Sequence, residues 1–327
     1  MGAYFHGPKY SRMRSTKLRA VYDVNEKAAK ATAQRLNAKK VYSRIEDLLR
    51  DPEIDAVDIC VPTPWHGELT MESAEAGKHV LCEKPIALDL KTADQMIGAT
   101  RKANVRFMVA HVLRFDPAYA ATKEVIDSGE IGEPLLALAA RHSQLNPRIS
   151  WYADEESTGG VAIDMHIHDL DYFNWIFGGP LEVASKRSRS VEEGWDHISS
   201  LLTYRHGTCF AEGSWWWREA NLPFSSRLSL LCQRGGVEVD VRASFADPDC
   251  PMEEDVWVYR TGKNARLLKL ARKDGYSKEI EYFVNCVKND EEPSICKPED
   301  ARLALQLALA TRQSAETQTT VNPDQVS

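Results

Sequence analysis

The strongest constraint on this chain is the alternation in its first 112 residues. Short apolar runs stand at 18–22 (LRAVY), 40–42 (KVY), 56–61 (AVDICV), 79–83 (HVLCE) and 105–112 (VRFMVAHV). Between them, 25–37, 66–76 and 89–103 carry helical patterning, and SRIEDLL at 43–49 reads as a cap and a helical turn. Apolar strands separated by helices bury both faces of a parallel sheet, because each crossover helix covers one face. The punctuation agrees: Asn25 is placed to cap the helix that follows it, and Gly77 to end the helix before it.

The pattern changes after about residue 113. Helices are expected at 117–128, from near Gly160 (163–177 as one helix), at 276–288 and at 298–316, with a strand at 134–142. From 182 to about 270, alternating segments separated by turns predict an antiparallel meander. The last residues, QTTVNPDQVS, read as frayed. The expected fold is thus α/β, with an N-terminal Rossmann domain over 1–112. An α+β domain with a large, open, mostly antiparallel sheet follows over 113–327.

Composition narrows the partners. A chain of 327 residues is long enough for about two domains. The net charge of −7 argues against a nucleic acid or an anionic membrane surface. No apolar run approaches the roughly 18 residues that span a bilayer. The seven cysteines are scattered singly with no CxxC, which fits a reducing cytoplasm rather than a disulfide framework or zinc ribbon.

A parallel sheet that binds a dinucleotide normally opens with a strand and a GxGxxG turn, whose N–H groups meet the pyrophosphate at a helix N-terminus. Here the only early glycines are Gly2 and Gly7. Gly2 reads either as the last glycine of a clipped fingerprint, with 3–13 as the following helix, or as no more than a second residue. Asp23 ends the second strand-like run, about 20 residues past Gly2, where a carboxylate accepts from both hydroxyls of an adenosine ribose. A carboxylate there repels a 2′-phosphate and favours NAD over NADP. A solvated strand-end aspartate is the other reading.

Residues 55–88, DAVDICVPTPWHGELTMESAEAGKHVLCEKPIAL, resemble the glucose–fructose oxidoreductase/inositol dehydrogenase (Gfo/Idh/MocA) family. The turn Thr63-Pro64-Trp65-His66 is one residue shorter than the common form, and Glu83-Lys84-Pro85 matches the EKP motif. LRFDPAY around Arg114, GEIGEP at 129–134 and GGVAIDMHIHDLDYFNWIFG at 159–178 are also similar to family segments. The departure is at the start, where the first strand and most of the GxGxxG turn are missing.

The resemblance implies an NAD(P)-dependent oxidoreductase. It would move hydride between a nicotinamide and a hydroxyl-bearing carbon of a sugar, sugar derivative or cyclitol. By the same resemblance Gly2, Asp23, Thr63, Pro64, His66, Glu83, Lys84 and Arg114 belong to the cofactor site, and Pro85 follows a cis bond. It further implies a homodimer or homotetramer formed through the open sheet. The other class of reading is a non-catalytic relative that binds a ligand or partner.

The run AIDMHIHDLD at 162–171 poses the remaining question. In one helix over 163–177, Asp164, His168 and Asp171 share a face, while His166 points roughly 200° from Asp164. A helical HxH cannot chelate one metal, and no HExxH or further His/Cys cluster stands at metal spacing, so no metal is expected. The resemblance makes His168 the catalytic histidine and Asp164 a substrate-hydroxyl ligand. A histidine titrates near neutrality and suits loss of the hydroxyl proton, and a lysine at 84 stabilises the developing alkoxide. His166 either contacts substrate or packs under the sheet. Tyr276 is a further substrate candidate by resemblance, and Arg114 reads equally as a cofactor contact or a buried ion pair. Trp215 and Trp217 share one sheet face and Trp216 the other, with core packing or a subunit contact favoured over sugar stacking.

Overall fold

The computed structural model describes residues 1–144, 154–188, 196–215, 224–243, 253–270 and 273–326. The chain forms two compact units, one of 1–115 with 273–301 and one of 116–272 with 302–327. The large sheet of the second unit is present as expected, whereas the expected parallel sheet is divided into a two-stranded and a three-stranded one, and the first unit also takes back a later segment.

In the first unit, a π-helical turn at Gly2–His6 runs into α1 (Gly7–Arg12), in line with a helix over 3–13. β1 (Ala20–Tyr22) pairs in parallel with β2 (Lys40–Tyr42). The Asn25 side chain accepts from the N–H groups of Lys27 and Ala28 and so starts α2 (Glu26–Leu36). After α3 (Ile45–Leu49), the strands β3 (Ala56–Ile59), β4 (His79–Glu83) and β5 (Phe107–Ala110) form a parallel sheet in that order. Their crossovers are α4 (His66–Glu75), after the short 3-10 turn Thr63–Trp65, and α5 (Leu90–Lys102), which Asp89 caps. The central strand is buried on both faces, as a parallel strand between helices must be.

The second unit begins with α6 (Pro117–Asp127), started by Asp116, whose carboxylate accepts from the N–H groups of Ala118 and Tyr119. β6 (Pro134–His142) follows, then α7 (Glu155–Thr158), α8 (Gly160–Asp164) and α9 (Ile167–Phe177). The expected single helix over 163–177 is therefore two. At the joint, His166 N–H bonds the Val161 carbonyl at 2.9 Å, a bond across five residues that inserts a π-type turn. The angular argument from an uninterrupted 3.6-residue helix does not apply across it. No glycine or proline marks the break. Its cause is tertiary: the His166 ring is drawn under the sheet to the Ser200 hydroxyl, and Met165 into a core cluster with Val161, Ala162, Ile198 and Trp215.

The large sheet runs β13-β12-β11-β10-β6-β9-β8-β7. Its later members are β7 (Glu182–Ser188), β8 (His197–Tyr204), β9 (Gly207–Ser214), β10 (Phe224–Cys232), β11 (Gly235–Ala243), β12 (Glu253–Arg260) and β13 (Arg266–Leu267). The expected single meander is two, with β6 inserted between β9, its parallel partner, and β10, its antiparallel one. Trp215 is buried in the core, while Trp216 and Trp217 lie outside the described residues.

α10 (Gly275–Asn289) belongs to the first unit. Ile280, Phe283 and Val284 on it pack with Leu81, Met108, Ala110, Phe115 and Cys296, which is why this unit extends beyond the boundary expected at 112. α11 (Pro298–Thr317) leads to the C-terminus. The tail is tied down rather than frayed: Val321 bridges Val183 through both backbone bonds, and the Gln306 amide donates to the Pro323 carbonyl.

Candidate functional site

In the first unit the chemistry-bearing residues follow the carboxyl ends of parallel strands, where open α/β sheets bind ligands. Asp23 is exposed directly after β1, and its carboxylate accepts from the Asn25 N–H at 2.8 Å. Thr63 is buried at the head of the turn after β3, and Pro64 beside it is exposed. His66 is 1% exposed, with Nδ1 2.9 Å from the Pro85 carbonyl and Nε2 2.9 Å from the Val61 carbonyl. Burial lowers its pKa against the pull of those two carbonyls. His66 therefore cross-braces the turns after β3 and β4, and both ring nitrogens face backbone rather than a ligand.

The brace holds the Glu83-Lys84-Pro85 turn, whose Lys84–Pro85 bond is cis, as expected. Glu83 is buried at the end of β4, and Lys84 behind it is half-buried. One Glu83 oxygen accepts from the Lys84 N–H at 3.1 Å, and the other lies 3.0 Å from His6 Nε2. Burial works against the Glu83 carboxylate, yet His6, Lys84 and the amino terminus hold its pKa below the usual range. His6 answers in kind. Burial alone would lower it, but Asp58 and Cys60 raise its pKa well above the usual value.

Tyr276 packs its ring against Phe5 and His6, with centroids 5.2 and 5.7 Å away. Arg114 is 4% exposed and donates to the Asp300 carboxylate at 2.8 Å and to the Ile295 carbonyl. Of its two expected roles, the geometry shows the ion pair, made by one guanidinium nitrogen of the buried Arg114 with the half-buried Asp300.

In the second unit, the run 162–171 is buried at every position but one: His168 keeps intermediate exposure. Asp164 ends α8 at 8% exposure, and His168 stands in the first turn of α9. His166 is fully buried. Its Nε2 lies 2.9 Å from the Ser200 hydroxyl, which accepts from the Ser185 hydroxyl at 2.8 Å, so His166 packs under the sheet, one of its two expected positions. Burial drives its pKa down to about 4. Asp171 is also fully buried.

Sequence reasoning missed two groupings. Asp169 pairs through both oxygens with the Arg141 guanidinium of β6, at 2.8 and 2.9 Å. His6, Asp58 and Cys60 cluster with their ligand-type atoms within 4.8 Å of one another. The signal for the second was Asp-x-Cys at the end of β3, but its partner histidine lies 52 residues away.

Comparison with known proteins places these geometries. Residues 1–111 match the model of the oxidoreductase family with an NAD-binding Rossmann fold, and 119–238 the GFO/IDH/MocA C-terminal domain. The chain belongs to the Gfo/Idh/MocA oxidoreductase family. It is 29% identical over 318 residues to a myo-inositol 2-dehydrogenase of Thermotoga maritima, covering 94% of this chain and 92% of that one. It is 27% identical over 331 residues to a scyllo-inositol 2-dehydrogenase (NAD(+)) of Bacillus subtilis, covering 95% and 90%. A crystal structure of a probable dehydrogenase from Thermotoga maritima superposes with a TM-score of 0.80 at 26% identity, covering 99% of this chain and 96% of that one. Among the described residues, no helix is long and apolar enough to cross a membrane.

Proposed function

We propose that this oxidoreductase is an NAD-dependent dehydrogenase of a sugar, sugar derivative or cyclitol, acting at a CH–OH carbon. The observation that carries the reading is the exposure pattern of 162–171, where His168 alone is left partly accessible. When bound, the nicotinamide supplies the hydride acceptor. The residues fit such a cofactor, because Asp23, Thr63 and Glu83 all stand at the carboxyl ends of parallel strands. Asp23 would accept from the ribose hydroxyls and disfavour a 2′-phosphate, while Thr63 and Pro64 would line the carboxyl end of β3.

His168 takes the hydroxyl proton as the alcohol carbon loses hydride, a task suited to an imidazole acting as general base. Lys84 lowers the energy of the developing alkoxide through its positive charge. Asp164 holds a neighbouring hydroxyl. Glu83 fixes the start of the lysine turn through the Lys84 N–H.

Calorimetric titration with NAD and NADP, followed by a turnover screen over cyclitols and sugars, tests this. NAD is expected to bind more tightly than NADP, and Asp23→Ser to narrow the gap. Lys84→Ala and His168→Ala should each lower kcat by roughly 10²–10⁴-fold with NAD affinity kept. Near-normal turnover in either variant removes the role assigned. Failure of both cofactors to bind would favour a non-catalytic relative that binds a ligand or partner.

The outer face of the large sheet supports self-association. Leu138, Phe210 and Leu201 lie side by side across β6, β9 and β8, with Leu138 and Leu201 45% and 48% exposed. Covering such a face with a second copy removes apolar surface from water. Light scattering should report a dimer or tetramer, and a monomer at micromolar concentration contradicts it.

A further inference from the structure

His6, Asp58 and Cys60 present one nitrogen, one carboxylate and one sulfur to a common point. Nδ1 of His6 lies 3.2 and 2.9 Å from Oδ1 and Oδ2 of Asp58. Sγ of Cys60 lies 3.6 Å from that nitrogen and 3.3 Å from Oδ1. A tetrahedral zinc, with bonds of about 2.0 Å to nitrogen and oxygen and about 2.3 Å to sulfur, has N···O edges of about 3.3 Å. Its S···N and S···O edges are about 3.5 Å. The three atoms thus already stand near the corners of one face of such a tetrahedron.

The surroundings are those of a metal ligand as well. The other ring nitrogen of His6 meets the Glu83 carboxylate at 3.0 Å. That carboxylate stands beside the far nitrogen, the position from which an outer-shell carboxylate orients a zinc-bound histidine. Glu279 of α10 adds an independent sign. It is 0% exposed, and neither carboxylate oxygen has a hydrogen-bond partner among the described residues. Burial raises its pKa well above the usual carboxylate value, with His6 opposing the rise and Glu83 and Asp58 adding to it. Buried polar atoms without partners are uncommon and call for a missing water or ion.

We propose that His6 Nδ1, Asp58 and Cys60 Sγ form a site for a zinc-class divalent cation, with a water in the fourth position. Nothing in the oxidoreductase chemistry requires this ion, and the site stands or falls apart from the proposed function. Binding replaces the Cys60 thiol proton and the proton shared between His6 and Asp58, so one cation enters as up to two protons leave. The ion also offsets the carboxylates of Asp58 and Glu83, which stand 2.9 and 3.0 Å from the two ring nitrogens of His6. Nitrogen, oxygen and thiolate donors together select zinc or cobalt over magnesium or calcium.

The full chain, stripped with a chelator, is titrated with zinc chloride by calorimetry and with cobalt chloride by absorbance. One equivalent per chain is expected, with a thiolate-to-cobalt charge-transfer band and the intense visible bands of four-coordinate cobalt. Cys60→Ser and His6→Gln should each weaken binding at least 100-fold, and Glu83→Gln about 10–100-fold. Cys286→Ser, in α10, should leave it unchanged. Zinc should also shield Cys60 from alkylation in the wild-type chain, read by peptide mass mapping, a measurement that does not depend on a variant folding. Binding well below one equivalent, cobalt bound without the charge-transfer band, or Cys60 alkylated equally with and without zinc overturns the proposal.

Discussion

Arg141 of β6 and Asp169 of α9 form a two-pronged ion pair at 2.8 and 2.9 Å, with 3% and 1% of their surfaces exposed. The Tyr119 hydroxyl lies 3.3 Å from the same guanidinium. Such a pair is poor evidence of net stability, because desolvation consumes much of the attraction, but removing one partner strands a buried charge. Asp169→Ala should therefore destabilise the chain by about 3–5 kcal/mol, measured by urea unfolding. A loss below about 1 kcal/mol would mean that water reaches Arg141.

Acid should loosen the second unit through His166. Burial lowers its folded pKa to about 4; Asp169 and Glu212 oppose the drop, while His197 and Arg141 add to it. The folded chain thus resists a proton that the unfolded chain accepts near pH 6.5. The contribution is present in full above the unfolded value and is lost as pH falls toward about 4. It amounts to on the order of 3 kcal/mol. Urea midpoints for wild type and His166→Gln should diverge less at pH 4 than at pH 7. Parallel curves across that window would contradict the assignment.

Arg114 separates stability from cofactor binding. One guanidinium nitrogen donates to Asp300 and to the Ile295 carbonyl. Arg114→Met should lower the melting temperature while leaving the NAD dissociation constant within about threefold, because the contact of the buried Arg114 with the half-buried Asp300, and not a ligand contact, is lost. A tenfold or larger weakening of NAD with unchanged melting would restore the cofactor role.

Gly7 marks a close approach. A Cβ there would lie 2.3 Å from Leu36 Cδ1 and 2.7 Å from the Gly2 carbonyl oxygen. The leucine can turn aside, but the backbone oxygen cannot without opening the preceding π turn. Gly7→Ala should cost about 1–3 kcal/mol in urea unfolding. A neutral change would show that the N-terminal turn yields freely.

Much of this was legible in the chain itself. Apolar runs marked β4 and β5, because a strand covered on both faces has to be apolar throughout, while β1 to β3, only partly buried, showed as shorter runs between helices. Local chemistry set the helix starts, as where the Asn25 and Asp89 side chains accept from N–H groups of the first turn. The turn carrying Glu83 and Lys84, and the run carrying Asp164 and His168, were visible as ordered motifs. What the motifs did not contain was which polar residues of 162–171 face inward. His166 and His168 look alike in sequence. One is spent on Ser200 and the other keeps access, a division made by a strand more than thirty residues away.

Sequence alone determined the α/β class, the positions of most helices and strands, and the family motifs, since these rest on local periodicity, capping and short-range turns. Only the tertiary structure decided the π turn before α9, the insertion of β6 between two meanders, the return of α10 to the first unit, and the meeting of His6 with Asp58, Cys60 and Glu83. The reason is physical. Local signals act over a few residues, whereas these features follow from burial and from pairing of buried polar groups with partners that the fold, not the chain order, brings near.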